Sequence, residues 1–497
     1  MERVRSLRWL FPLAVLLPIL LVAVSGYDGM EFNGDAYRYY ESATNLVNGW
    51  HSGGAIVTGF WPLGYPLIAA LFMMIVGIGF PAAQAVSFTT AFLVLLFIGK
   101  LHRKEYSVVA PELFAGSALL AVSGYWLRYS TTIMSDMAAV CWSLGAIYFI
   151  RRWSDAYAWR FLVVAAFFAA FSIATRYVSG LVLLPLSYCV IRYSTTARLR
   201  AIRLFGLYGC VLLFFLPQLP FSLRMPEASV QHPWLSQWSF LNFLASDRTT
   251  IDGHLQVSWP NLLYYTLAPF RWSELTPVGG LFALVGCWHR FRHGFSRADA
   301  MMGIWYAGVW LFLCGIPIQN PRFALPMYVP IAWMMIAGLM ALRPWLTRKA
   351  GIAVIPIYIG IAGWLGMHKW AGFVGEKDRM LSEARYFDQR IPPQARILSW
   401  DYFEAFHIYF PARKVSTIHG LDRQQLQELL DREGELYLLF DEARLTRAWA
   451  GLEPALAYQD LLLRNPSELL ERQGRYSLRR CTATGRSGAP NSVPSPD

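Results

Sequence analysis

Residues 33–50 read NGDAYRYYESATNLVNGW, from Asn33 and Gly34 through Asp35, Tyr37, Arg38 and Glu41 to Trp50. The stretch follows an apolar run, Leu10 to Val24, and so carries charge and aromatic rings just where a chain leaves a bilayer. Two readings compete for it. In one it is a solvated loop, with Asp35 capping an amphipathic helix Ala36–Val47 whose Ala36, Tyr40, Ala43 and Val47 share a face. In the other it is a site held against the membrane surface. The rest of the chain decides between them.

The 497 residues are 55% hydrophobic and 15% charged, whereas a soluble domain carries about 25% charged residues. Apolar runs recur until about residue 375, each near the ~20 residues that cross a bilayer as a helix. The chain reads as a polytopic membrane protein. The net charge of +12 would suit a nucleic acid, but its distribution argues against that partner. The basic residues form short clusters between apolar runs: Arg3/Arg5/Arg8, Lys100/His102/Arg103/Lys104, Arg151/Arg152, Arg192/Arg198/Arg200/Arg203, Arg290/Arg292/Arg297 and Arg343/Arg348/Lys349. Such clusters hold loops in the cytoplasm. The six cysteines include no CxxC, so neither a disulfide framework nor a zinc knuckle is expected. HExxH, P-loop and GxSxG motifs are absent as well. The first apolar run, followed by so many others, reads as an uncleaved helix rather than a signal peptide.

With the N-terminus inside, the first helix (9–26) exits and NGDAYRYY lies outside. If 61–79 and 81–101 both crossed, the Lys100–Lys104 cluster would fall outside. The segment 61–79 begins WPLGYP and is broken by Gly64, Gly77 and Gly79, so it is expected to lie along the outer surface. Further crossings are then expected at 82–101, 107–126, 133–150, 160–174, 177–191, 204–222, 275–289, 301–317, 323–342 and 350–368. That makes about 11 crossings in all, with every basic cluster inside. The outer loop 223–273 carries Trp234, Trp238, Trp259 and Trp272, residues that favour headgroup depth. After Gly372 the composition becomes polar. ARILSW, KVSTI and ELYLLF read as strands, and MLSEARYFDQR, LDRQQLQELLDR and DLLLRNPSELLERQ as helices. The expected organisation is an all-α membrane domain over 1–370, an outer α/β domain over 371–482 and a disordered tail over 483–497.

On this topology Asp35, Arg38, Arg128, Asp136, Arg176 and Arg322 all face the outer water. Positive-inside sorting gives arginines no reason to be there. Taken singly, each has an ordinary role: Asp35 and Asp136 as helix caps, Asp136 paired with Arg128, and Arg176 and Arg322 snorkelling to lipid phosphates. As a set they suggest a site, because ionisable groups at membrane depth are costly and tend to be functional. Guanidinium groups suit a phosphate, and a carboxylate suits a hydroxyl or amine that must lose a proton.

The order GDAYRYYESATNLVNGW, FWPLGYPLIAALFMMIVG, STTIMSDMAAVCWSLGAIYFI, ATRYVSG and PRFALPMYVPIAW resembles the GT-C membrane glycosyltransferases, most closely the branch of protein O-mannosyltransferases and lipid A aminoarabinose transferases. The likeness covers residues 1–370 in layout. It implies transfer of a sugar from a polyprenyl-phosphate carrier to a lipid, glycan or protein acceptor at the outer face, with inversion. Asp35 matches the family's catalytic carboxylate and Asp136 its second acidic position. Arg322, Arg176 and Arg128, with Tyr37 of the Asp-x-Tyr pattern, become candidates for binding the substrate. Many relatives carry a lysine before the surface helix where this chain has Phe60-Trp61-Pro62, and His51 is the candidate to replace it. Some GT-C enzymes use a divalent metal. No ligand cluster is evident here, and Asp28 and Glu31 near Asp35 leave that question open. The resemblance implies a bacterial inner membrane, and the topology puts the N-terminus in the cytoplasm and the C-terminal domain outside. A lipid-linked sugar flippase or a non-catalytic scaffold would be the alternatives, and a flippase would be expected to carry polar residues at the helix midpoints.

Overall fold

A computed structural model describes the chain except for residues 1–9, 32–34, 54–60, 107–110, 225–232, 251–252, 347–348, 419 and 485–497. Asn33 and Gly34 of the opening stretch, and nearly all of the expected disordered tail, lie outside the described residues. The chain divides into two compact units. One comprises residues 1–31, 35–246 and 258–374, the other residues 32–34, 247–257 and 375–497.

The first unit is helical. It contains α1 (Leu10–Ser25), α2 (Asp35–Ser52), α3 (Gly64–Val76), α4 (Phe80–Tyr106), α5 (Pro111–Ala121), α6 (Gly124–Thr131), α7 (Ser135–Ala156), α8 (Trp159–Thr175), α9 (Leu183–Tyr193) and α10 (Ala197–Phe215). After the outer loop follow α11 (Asn261–Leu267), α12 (Thr276–His293), α13 (Arg297–Gly315), α14 (Leu325–Ala341) and the first part of α15 (Lys349–Asp388). Each segment expected to cross the bilayer is mostly helical over its described residues, although 107–126 is interrupted between Ala121 and Gly124. Among the described residues, four are long and apolar enough to span alone: α4, α10 with its continuation to Phe221, α13, and α14 with the turn before it. A fifth qualifies if α6 and α7, bent by 102°, count together. The chain is an integral membrane protein. α3 has 13 residues, or about 20 Å at ~1.5 Å per residue, against the ~30 Å of a bilayer core.

Two breaks in this unit shape the site. The segment 107–126 ends at Ala121, and the chain restarts as α6 before turning sharply into α7. The hydroxyls of Ser130, Thr131 and Thr132 donate back to the carbonyls of Leu127 and Arg128, which competes with a continuing helix. The carbonyls freed there need donors in a dry setting. Gln84 Nε2 donates to the Thr131 carbonyl (2.5 Å) and Ser87 Oγ to that of Thr132 (2.6 Å), both from α4. At the other break, Gly64 opens α3 against the end of α8. A Cβ at Gly64 would stand 2.4 Å from Thr175 Oγ1 and 2.8 Å from the Ala174 carbonyl. The glycine of WPLGYP therefore lets α3 sit directly beside Arg176.

The second unit is an α/β domain. Its sheet runs β4 (Lys414–Ser416), β3 (Arg396–Ser399), β5 (Glu435–Asp441), β7 (Tyr476–Thr482), β6 (Ser467–Gln473). β3 pairs parallel with β4 and β5, whereas β7 pairs antiparallel with β5 and β6. After Glu435 the run LYLLF (436–440) is apolar because both faces of β5 are covered. Leu436, Leu438 and Phe440 pack under α17 (Arg423–Glu433) and α18 (Glu453–Arg464). Tyr437 and Leu439 pack on the other side with Phe387 of α15 and Phe406 of α16 (Phe403–Tyr409).

Three expectations are corrected here. DLLLRNPSELLERQ is not one helix: it breaks before Pro466, which has no N–H to continue the ladder, and SELLERQ becomes edge strand β6. The helices expected at 350–368 and 380–390 are one 40-residue helix, α15. The outer loop 223–273 contains a hairpin, β1 (Asp247–Thr250) and β2 (Gly253–Gln256), that belongs to the second unit. Gly253, at φ +124°, lies so close to the Ala448 carbonyl that a Cβ would stand 2.5 Å from it.

Candidate active site

Four of the sequence-predicted residues form one chain of alternating charge. Asp35 opens α2 and Asp136 lies in the first turn of α7. Arg176 stands at the C-terminus of α8 with extended backbone. Arg322 lies in the 3-10 turn Pro321–Ala324, where the Asn320 side chain accepts from the Arg322 N–H (3.0 Å) and fixes the entry to α14. Arg322 Nη1 is 2.5 Å from Asp35 Oδ2, and its Nε is 3.3 Å from Asp136 Oδ1. Arg176 Nη1 donates to the same Asp136 oxygen at 2.6 Å. Both guanidinium groups lie over the Phe323 ring, at 5.4 and 5.5 Å. Asp136 and Arg322 are buried. The Asp35 and Arg176 side chains keep 16% and 17% exposure, enough to meet an incoming molecule.

The ring of Tyr39, one turn along α2 from Asp35, holds this arrangement. It stacks on Trp61 and meets Tyr65 of α3 at 5.2 Å. Its hydroxyl lies 2.7 Å from Ser135 Oγ, beside Asp136. Tyr39 and Ser135 were not singled out in the sequence. An aromatic residue four places after a carboxylate on an amphipathic helix was the available signal.

The remaining candidates lie elsewhere. Arg128 makes a bidentate pair with Glu31 (2.5 and 2.7 Å) and sits 3.7 Å from the Phe373 ring. The Thr132 hydroxyl oxygen lies 3.3 Å from the same Glu31 carboxylate. This cluster ties the loop after α1 to α6 and α15. Tyr37 donates to Glu41 on its own helix (3.3 Å). His51 is exposed in the last turn of α2. Asp28 accepts from the Met30 N–H (3.0 Å).

A divalent metal does not fit these residues. Among the described residues no group of three His, Cys, Asp or Glu side chains converges as metal ligands do. Glu31 is engaged by Arg128, and the guanidinium of Arg322 already lies between Asp35 and Asp136.

At the far end of α7 a second cluster gathers three basic segments. Arg151 pairs with Glu105 and, at 2.6 Å, with Asp155, which also binds Lys104 (2.7 Å) and Arg297 (3.1 Å). The fifteen-residue step along α7 separates it from Asp136 by about 22 Å.

No family model matches the chain, and a search of curated proteins finds no match. Solved structures do match. One is ArnT from Cupriavidus metallidurans bound to undecaprenyl phosphate: 14% identity over 94% of this chain and 97% of that one, TM-score 0.58. The apo state of the same protein gives 13% identity over the same shares, TM-score 0.59. The apo oligosaccharyltransferase of Archaeoglobus fulgidus matches at 11% identity over 90% of this chain and 72% of that one, TM-score 0.54. The fold shared with these proteins is the GT-C fold.

Proposed function

We propose that the protein is a glycosyltransferase that moves a sugar from a polyprenyl-phosphate carrier to a lipid, glycan or protein acceptor at the outer face of a bacterial inner membrane. The observation that carries this reading is the pairing of a partly exposed carboxylate, Asp35, with a buried arginine, Arg322. In the matching structures ArnT holds undecaprenyl phosphate, and the Archaeoglobus enzyme has been seen with dolichol-phosphate.

The chemistry follows from the parts. A phosphate on a polyprenyl chain is a good leaving group, provided its charge is met as it develops. The donors of Arg322 and Arg176 not spent on carboxylates supply fixed positive charge for that purpose. The acceptor hydroxyl or amine gives its proton to Asp35 as its oxygen or nitrogen attacks the anomeric carbon. The bond to the phosphate oxygen breaks on the opposite face, with inversion, and the carrier departs as an anion. Asp136 holds both arginines in place. The basic cluster at the other end of α7 supports an orientation with Asp35 outside, and with it an outer C-terminal domain.

Profiling of glycolipids and glycoproteins in a deletion strain tests the reading. One glycosylated species should disappear, and the wild-type gene should restore it. Asp35→Asn should insert normally yet transfer at least about a hundredfold more slowly, the low end for loss of a general base. Full restoration by Asp35→Asn would reduce Asp35 to a helix cap.

A further inference from the structure

Asp35 and Asp136 share one guanidinium. Arg322 reaches Asp35 Oδ2 at 2.5 Å and lies 3.3 Å from Asp136 Oδ1, and the whole residue is buried. Two carboxylates brought together from separate helices would repel unless a cation stood between them. A divalent metal is the usual cation for such a place in a phosphate-handling site, because it neutralises the carboxylates and also faces the phosphate. Here that place is filled by a side chain. Arg176 holds Asp136 Oδ1 at 2.6 Å. Asp136 Oδ2 is buried and finds no hydrogen-bond partner among the described residues. The oxygen of Asp136 that both arginines approach is Oδ1, so Oδ2 is the one not committed to either of them.

We propose that Arg322 is the resident cation of this carboxylate pair, standing where a divalent metal would, so that removing its side chain turns Asp35 and Asp136 into a divalent-cation site. The inference deepens the glycosyl-transfer reading and takes from it only that the pair is the reacting centre. The charge balance supports it. Two carboxylates and two guanidinium groups sum to zero, so a further divalent ion would find no net negative charge to hold it. Without Arg322 the remaining set is Asp35, Asp136 and Arg176, which is net negative, and Asp136 Oδ1, 3.3 Å from the Arg322 Nε, borders the space it leaves. Such a site offers only oxygen ligands, which suits Mn2+ and Mg2+ completed by water.

The test needs no turnover. The full chain is purified in lipid nanodiscs, and Mn2+ is titrated with free ion read by electron paramagnetic resonance. Arg322→Ala should bind one Mn2+ per chain at least about tenfold more tightly than the wild type, as hard oxygen ligands without a competing charge allow. Adding Asp136→Asn to Arg322→Ala should abolish that gain. Arg322→Gln keeps most of the side-chain volume without the charge, and it gives the same readout should the alanine variant not fold. A wild-type chain that binds Mn2+ as tightly as Arg322→Ala, and loses it on Asp136→Asn, would overturn the proposal. So would a folded Arg322→Ala or Arg322→Gln protein that binds no more tightly than the wild type. Because binding is read without donor or acceptor, either result stands apart from whether the protein transfers a sugar.

Discussion

Arg322 shows how a single side chain can serve two partners. Its planar fork has five donors in fixed directions. It spends some on Asp35 and faces Asp136; on the proposed function the others meet the carrier phosphate. Lysine would keep the charge but not the fork. Arg322→Lys should therefore raise the donor concentration for half-maximal transfer by roughly tenfold or more, since a charged hydrogen bond is worth about 1.5–3 kcal/mol. Arg322→Ala should be worse still. Steady-state kinetics on purified protein reads both, and unchanged half-saturation in Arg322→Lys would assign the residue to structure alone. At this scale the sequence was legible in part. Asp35, Asp136, Arg176 and Arg322 stood out because charge at the end of an apolar run has few ordinary explanations. Which arginine met which carboxylate was not legible. Arg128 stood in the same outer-face set and was a possible partner for Asp136, but the packing of α6 against the loop after α1 gives it Glu31 instead.

Elements were legible where apolar length and charge agreed, and misread where backbone chemistry overrode composition. The change from apolar to polar residues near Gly372 suggested a helix end, but nothing there stops a helix, and α15 continues to Asp388. SELLERQ looked amphipathic, yet Pro466 and the partner strand β7 decide it. The connection before α12 holds another group that composition did not reveal. Glu274 accepts from the Tyr125 N–H (2.9 Å), the Tyr328 hydroxyl (3.4 Å) and the Ser273 hydroxyl (3.2 Å), joining α6, α12 and α14. Burial pushes its carboxyl up to about 8, only partly offset by these bonds and by the charge of Lys369. The folded state then keeps a proton that the unfolded chain releases above about pH 4.5. Stability is lost as pH rises from there toward 8, and levels off beyond it. The thermal midpoint of the wild type should fall between pH 6 and 8. That of Glu274→Gln, which cannot ionise, should fall less. Parallel pH profiles for the two proteins would show that Glu274 titrates normally.

The whole molecule combines a helical membrane unit with an α/β unit that also takes in the hairpin from the outer loop. The membrane class was plain from the sequence, since no soluble chain carries so many apolar runs. The hairpin was not, because four-residue strands leave no periodicity to read. The proposed orientation predicts that single cysteines at Ser52 and Gly79, on a background without native cysteines, react with an impermeant thiol reagent from the outside, and that one at Arg103 does not. Labelling at 103 with protection at 79 would invert the outer face and the site with it. The central claim is that the arginines beside Asp35 receive a polyprenyl phosphate. The most direct measurement is binding of undecaprenyl phosphate itself, independent of any sugar, to the full chain in nanodiscs with chelator present. One carrier per chain should bind the wild type and Asp35→Asn about equally, and Arg322→Ala and Arg176→Ala at least about tenfold more weakly, the loss of one charged contact. Equal binding by all four proteins would contradict the account.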